Sequence, residues 1–190
     1  MSDHSIETIS AIVMGRLQKL SPHLTYHSLS HTEDVVSQAI RIGLEEGLND
    51  AEMFLLKVAA LYHDTGFLRT YANHEKFSAE IFLEDAVQFR LTEPECKEVV
   101  RLIMVTQIPQ RPLSLMEKVI CDADLDYLGR EDFFSIGELL RKEFLHYRIV
   151  SNNEEWEKMQ LKFLQGHNYH TASSRKKREP VKQQHYSALF

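Results

Sequence analysis

Apolar residues recur along most of the chain at three- and four-residue spacing, the period of a helix with one buried face. Ile6, Ile9, Val13, Leu17 and Leu20 make the first stripe, which Ser21-Pro22 closes. A second stripe starts at His31 and runs through Val35, Val36, Ala39, Ile40 and Leu44 to Gly47. Asp50 is the expected N-cap of a third helix, Met53 to Tyr62, which meets His63-Asp64 and breaks at Thr65-Gly66. Phe67 to Asn73 reads as a loop. A fourth helix is expected from His74 to Phe89, with Phe77, Ile81, Phe82 and Val87 facing inward.

Three Ser/Thr-x-x-Glu boxes mark further helix starts, because each pairs a capping hydroxyl with a carboxylate that reaches back. Thr92 to Glu95 opens a helix through Met104, Ser114 to Glu117 one through Leu125, and Ser151 to Glu154 one through Leu164. Arg130 to Tyr147 is also helical, with Gly129 as the expected C-cap of the helix before it. Trp156, Met159 and Phe163 at helical spacing read as core or a helix–helix contact. No segment alternates as a strand would. The expectation is all-α, a compact bundle of about eight helices.

Composition agrees with this. Seven Gly and five Pro are few for 190 residues, which argues against an all-β chain of many tight turns. A hydrophobic fraction of 43% and a charged fraction of 26% exclude a fully disordered chain. The net charge of −6 gives no reason to expect nucleic acid as a partner. Cys96 and Cys121 make no disulfide framework and read as reduced thiols. Residues 1–20 carry no signal-peptide pattern, and no apolar run approaches a membrane span. A cytoplasmic location is expected, with no membrane partner. Residues 1–170 read as one domain. Residues 171–190 read as a basic C-terminal tail, because Arg175-Lys176-Lys177-Arg178 interrupts an acidic protein. That tail is either solvated or folded back, where Arg175 or Arg178 would suit a substrate phosphate.

The candidate chemistry lies in a few of the ten histidines and their acidic neighbours. His31 stands at the start of the second helix, His63 and Asp64 end the third, and Asp122 and Asp124 follow Val119-Ile120-Cys121. Neighbours in mid-helix point about 100° apart, so an adjacent ligand pair needs a helix end, which Thr65-Gly66 supplies. A nitrogen and oxygen donor set without thiolate suits Mn²⁺, Fe²⁺, Co²⁺, Ni²⁺, Mg²⁺ or Zn²⁺. Spacing alone leaves surface polar residues as the alternative reading.

The wording around these residues carries more. Tyr26-His27-Ser28-Leu29-Ser30-His31-Thr32-Glu33-Asp34-Val35-Val36 resembles the first motif of the HD-domain superfamily of metal-dependent phosphohydrolases. Ala59-Ala60-Leu61-Tyr62-His63-Asp64-Thr65-Gly66 resembles its His-Asp motif, and Cys121-Asp122-Ala123-Asp124-Leu125 its closing Ala-Asp motif. The three occur in the family's order, and the resemblance covers about residues 26–129.

The resemblance implies an all-α HD-domain bundle with one divalent metal held by His31, His63, Asp64 and Asp124. Asp124 is preferred to Asp122 because it follows the small Ala123; Asp122 would then support it or end the helix in solvent. It implies hydrolysis of a phosphomonoester or phosphodiester in a nucleotide or other small phosphorylated substrate by a metal-activated water, with Asp64 as the catalytic carboxylate. His27, four residues before His31, is a candidate substrate contact or a turn-capping residue. His74, in Asn73-His74-Glu75-Lys76-Phe77-Ser78-Ala79, resembles a third block that touches phosphate or a second metal, with Lys76 and Arg175 as further substrate-binding candidates.

Thr106-Gln107 stands where two-metal relatives carry consecutive histidines, which points to one metal. Phe67 replaces the lysine that often follows the His-Asp motif. His167 and His170 read as a polar turn, and His4, His23, His146 and His185 as ordinary polar residues. A homodimer through an exposed apolar helix face is compatible with the sequence. The alternative function is a catalytically silent module that binds a nucleotide and reports it to a partner.

Overall fold

The computed structural model describes residues 5–189; His4 and the outer limits of the expected domain and tail, residues 1 and 190, lie outside the described residues. Nine α-helices and two 3-10 turns form the fold, with no strand among the described residues. The helices are α1 (Ile6–Leu17), α2 (Leu29–Glu45), α3 (Asp50–Tyr62), α4 (His74–Ala86), α5 (Glu93–Met104), α6 (Leu115–Asp124), α7 (Phe133–His146), α8 (Asn153–Gly166) and α9 (Ala172–Ala188). One 3-10 turn, Thr65–Leu68, follows α3, and the other, Asp126–Gly129, follows α6. No described helix is long and apolar enough to cross a membrane.

Most helix starts follow the capping chemistry. Thr92 and Ser114 close complete capping boxes with Glu95 and Glu117. Two starts shift by one residue. Asn49, not Asp50, caps α3, because its side chain accepts from both Ala51 and Glu52 amides while Glu52 reaches back. Asn152, not Ser151, caps α8 by accepting from Glu155 N, and Ser151 N donates to Glu155 Oε2 instead. α2 starts earlier than its apolar stripe: Ser28 caps it and accepts from His31 N, so His31 sits in the first turn.

Three further expectations change. The segment after α3 is not all loop, since Thr65–Leu68 winds into a 3-10 turn. Val87 does not face inward; it is 88% exposed, because α4 ends at Ala86. Gly129 is needed for close approach rather than as a cap. A Cβ there would stand 2.4 Å from the Arg178 carbonyl oxygen of α9.

The C-terminal residues form a docked helix and not a solvated tail. Thr171 caps α9 by accepting from Ser174 N. Arg178 makes a forked pair with Asp126, at 2.9 and 2.8 Å, and Arg41 reaches the same buried carboxylate at 2.8 Å. Lys182 is fully buried and donates to the His167 carbonyl and to Glu179. His185 stacks on Phe133 at 4.6 Å. These contacts offset the weakness of a helix that is mostly polar and carries Pro180 in its interior.

Two apolar clusters result. The larger is shared by α1 to α6 and includes Ile42, Leu56, Phe82 and Leu102, all with no exposure. Each such side chain contributes about 1.5–3 kcal/mol by leaving water. The smaller joins Tyr26, Leu128, Phe133, Leu164 and Tyr169 beneath α7 to α9. Leu125 belongs to the smaller cluster and Ala123 to the larger, so Asp124 lies at their seam.

Candidate metal centre

Four side chains converge where α2, α3 and α6 meet. His31 comes from the first turn of α2, His63 and Asp64 from the end of α3, and Asp124 from the last residue of α6. The helix end at His63 lets two adjacent side chains reach one point. Gly66 holds that end in place. Its amide donates to Ser78 Oγ at 2.8 Å, and a Cβ there would lie 1.9 Å from the His74 carbonyl oxygen. The glycine of the His-Asp motif is thus explained by the close passage of α4.

His31 Nε2 lies 3.4 Å from His63 Nε2, 3.5 Å from Asp64 Oδ2 and 3.3 Å from Asp124 Oδ1. His63 Nε2 lies 3.3 Å from Asp64 Oδ2 and 3.6 Å from Asp124 Oδ1. His31, His63 and Asp124 each present a donor atom within 4.8 Å of the other two. His63 Nδ1 donates to the Ala60 carbonyl at 2.8 Å, which fixes the proton on that nitrogen and turns Nε2 to the cluster. Asp64 Oδ2 is buried and has no hydrogen-bond partner.

This arrangement fits a divalent cation. Bonds of 2.0–2.2 Å to nitrogen and oxygen place neighbouring donors about 3.0–3.5 Å apart in octahedral or tetrahedral sites. The observed separations fall in or just above that range. An orphaned buried carboxylate oxygen beside two imidazole Nε2 atoms is costly without a positive charge between them. Burial disfavours charge on His63, yet Asp64 and Asp124 outweigh it and raise its pKa to about 9. Burial raises Asp64, but the charge of neighbouring His63 and the contact with His74 hold it well below the usual carboxylate range. A field that favours a proton here also favours a metal ion, which would displace that proton.

Asp122 is occupied elsewhere. It is fully buried and accepts from His170 N, Thr171 N and Thr171 Oγ1 at 2.7–2.8 Å. Burial pushes its pKa up, against the lowering effect of Thr171 and the two amides. Its carboxylate ties α6 to the start of α9, while Asp124 faces the cluster and accepts from Gln110 Nε2 at 3.2 Å.

His27 and His74 stand beside the centre. His27 Nδ1 pairs closely with Glu143 Oε1, which also accepts from Tyr71 OH at 2.9 Å. Glu143 Oε2 takes the Tyr26 and His27 amides at 2.9 and 3.1 Å. Burial would raise Glu143, but the His27 bond and these amides lower it. His74 Nε2 lies 3.4 Å from Asp64 Oδ1 and 3.5 Å from Glu75 Oε1. Burial opposes a charge on His74, and Asp64 more than restores it. Phe67 stacks on both rings, at 4.3 Å from His27 and 4.0 Å from His74. The residue in the expected lysine's place therefore orients two imidazoles.

Lys76 and Arg175 are not brought to this site. Lys76 lies two residues past His74, about 200° round the helix, and is exposed. Arg175 donates from Nε to the Tyr169 carbonyl at 2.8 Å. His167 and His170 form the turn before α9. Burial and Lys182 lower the His167 pKa to about 3.

A cavity of about 170 Å³ opens from the centre, with Asp64, His74 and Asp124 on its wall. Its other walls include Phe133, Phe144, Trp156, Met159 and Phe163 from α7 and α8. Phe144 and Trp156 meet edge to face at 5.7 Å. The i, i+3, i+7 spacing of Trp156, Met159 and Phe163 reads as core because a lined cavity and a packed helix leave the same stripe.

A family model described as HD-CE matches residues 21–176. The fold is similar to that of a predicted HD superfamily hydrolase from an uncultured Thermotogales bacterium. The two are 21% identical with a TM-score of 0.64, over 96% of this chain and 88% of that one. It is also similar to Bacillus subtilis YpgQ, in complex with ADP, at 16% identity and a TM-score of 0.66, over 97% and 96% of the two chains. The Lin1889 protein from Listeria innocua is 19% identical with a TM-score of 0.62, over 97% and 95%. No curated protein matches the chain.

Proposed function

The chain belongs to the HD-CE family and has the HD-domain fold, and on that premise we propose that it is a metal-dependent phosphohydrolase. Its substrate is a nucleotide or another small phosphorylated compound. The observation that carries this reading is the buried convergence of His31, His63 and Asp124 beside the unpartnered Asp64 Oδ2.

His31, His63, Asp64 and Asp124 would hold one divalent ion, drawn from Mn²⁺, Fe²⁺, Co²⁺, Ni²⁺, Mg²⁺ and Zn²⁺. When bound, it lowers the pKa of water and offsets charge on a phosphate oxygen. The side chains supply the rest. His63 is locked in one tautomer by Ala60, so its Nε2 needs no reorientation. Asp64 stays ionised at neutral pH and accepts the hydrogen bond of the water nucleophile. Glu143 holds His27 by Nδ1 and leaves Nε2 for a phosphate oxygen. His74, steadied by Asp64 and Phe67, lines the same cavity, with its ring 5.9 Å from that of His27.

The test is a phosphate-release screen over nucleotides and phosphate esters with Mn²⁺, Co²⁺ and Mg²⁺. Release that needs a metal, and falls by at least about a thousandfold in His63→Ala, is expected. Equal release in both proteins would overturn the assignment. A second reading, nucleotide binding without turnover, draws on the ADP bound to the YpgQ neighbour. It predicts thermal stabilisation by ADP with no phosphate release.

A further inference from the structure

The cavity beside the metal centre differs in character from a nucleotide site. Its ionisable lining residues are three carboxylates, Asp64, Glu75 and Asp124, two histidines, His27 and His74, and two tyrosines, Tyr26 and Tyr127. No lysine or arginine lines it among the described residues. Arg178 is committed to Asp126, and Lys182 to His167 and Glu179. Lys162 lines an adjoining outer groove, which shares Met159 and Phe163 with the cavity, and does not line the cavity itself. A nucleoside di- or triphosphate would therefore bring several negative charges to walls with no fixed cation to meet them.

The hydrogen-bonding inventory points the same way. Away from the metal centre the lining is largely Leu, Phe, Trp, Met and Ile. The Thr106 hydroxyl donates to the Ile103 carbonyl at 2.8 Å, so the polar groups left there are few: Gln160, the Tyr26 and Tyr127 hydroxyls and the Trp156 indole N–H. A nucleobase has several donors and acceptors on its edge, and most would go unpaired in such a space. An apolar ring loses nothing. The volume of about 170 Å³ is close to that of an apolar cavity of about 150 Å³ that binds benzene.

We infer that the site takes a phosphomonoester whose other half is an apolar ring or short alkyl chain. That half seats against Phe144, Trp156, Met159 and Phe163, with the phosphate at the centre. This rests on the phosphohydrolase reading above and narrows it. In the reaction the ester P–O bond breaks and a water oxygen joins phosphorus. One water proton goes to the departing alkoxide or phenoxide, and the other ends on phosphate or solvent.

Trp156 is the sole tryptophan and lies in the cavity wall, so its fluorescence reports occupancy without turnover. The full chain, loaded with Mg²⁺, is titrated with phenyl phosphate, inorganic phosphate and ADP. Phenyl phosphate is expected to bind about thirtyfold more tightly than inorganic phosphate, from burial of one ring. It is expected to bind at least about tenfold more tightly than ADP, from the unpaired polar edge of the base. Met159 is partly exposed, so Met159→Gln should fold and should erase most of the preference. Phe163→Ala is the second variant. ADP binding as tightly as phenyl phosphate would overturn the inference. So would a preference untouched by both substitutions. Phosphate release measured alongside separates the two readings. Selective binding of phenyl phosphate without release by any metal would sink the hydrolase and leave the pocket's selectivity standing. Release from nucleotides with no gain for phenyl phosphate would do the reverse.

Discussion

The α1 to α6 half and the α7 to α9 half of the molecule meet at one site but build it by different means. The first half supplies the proposed metal donors from helix ends: His31 in a first turn, His63 and Asp64 at a helix stop, Asp124 at another. The second half supplies walls from mid-helix positions, such as Phe144 of α7 and Trp156 and Met159 of α8. Helix ends can aim neighbouring side chains at one point, because the regular 100° step is lost there. Mid-helix faces make broad apolar surfaces instead. On the proposed reading, chemistry and selectivity would therefore reside in separable parts of the chain.

The two acids at the end of α6, Asp122 and Asp124, give the sharpest test of that division. Asp124→Ala should lower divalent-metal affinity by at least about a hundredfold, with little change in unfolding free energy, as read by calorimetric titration and urea melts. Asp122→Ala should do the opposite. It leaves the His170 and Thr171 amides without their acceptor and should cost about 3 kcal/mol while the metal still binds. If Asp122→Ala also lost the metal, the two halves would not be separable.

Gly66→Ala tests how the end of α3 is held. With a Cβ 1.9 Å from the His74 carbonyl, α4 must shift, and a loss of about 3 kcal/mol or more is expected in a urea melt. A neutral substitution would show that α4 does not fix the end of α3.

Glu143 joins the halves, reaching from α7 to His27 and Tyr71. Its pKa is lowered in the fold from the ordinary 4.5. A depressed carboxylate contributes fully above its unfolded value and loses that contribution as pH falls through the folded one. The stability gap between the native chain and Glu143→Gln should thus be largest near neutrality, roughly 1–3 kcal/mol, and shrink below pH 4.5. A gap independent of pH would mean that the Glu143 charge is not what ties the halves together.

The same division governs what could be read in advance. Capping boxes at Thr92 and Ser114 are local chemistry, so α5 and α6 start where the sequence places them. Asn49 and Asn152 win caps from their neighbours because two or three adjacent polar residues compete for the same amides. The His-Asp motif was legible because its residues are contiguous and end a helix. The roles of Phe67, Glu143 and Tyr71 were not, since they arise from contacts between residues as much as 117 positions apart. α9 is mostly polar and contains Pro180, and its stability comes from Asp126, Leu128 and Phe133, which no local pattern reveals. The cavity was hidden for a related reason, because Trp156, Met159 and Phe163 have the spacing of ordinary core.

The metal content of the purified chain tests the central claim most directly. Elemental analysis of native protein after exposure to Mn²⁺ and gel filtration should find about one ion per chain, and His63→Ala close to none at unchanged helicity. Equal metal in the two proteins would contradict the account.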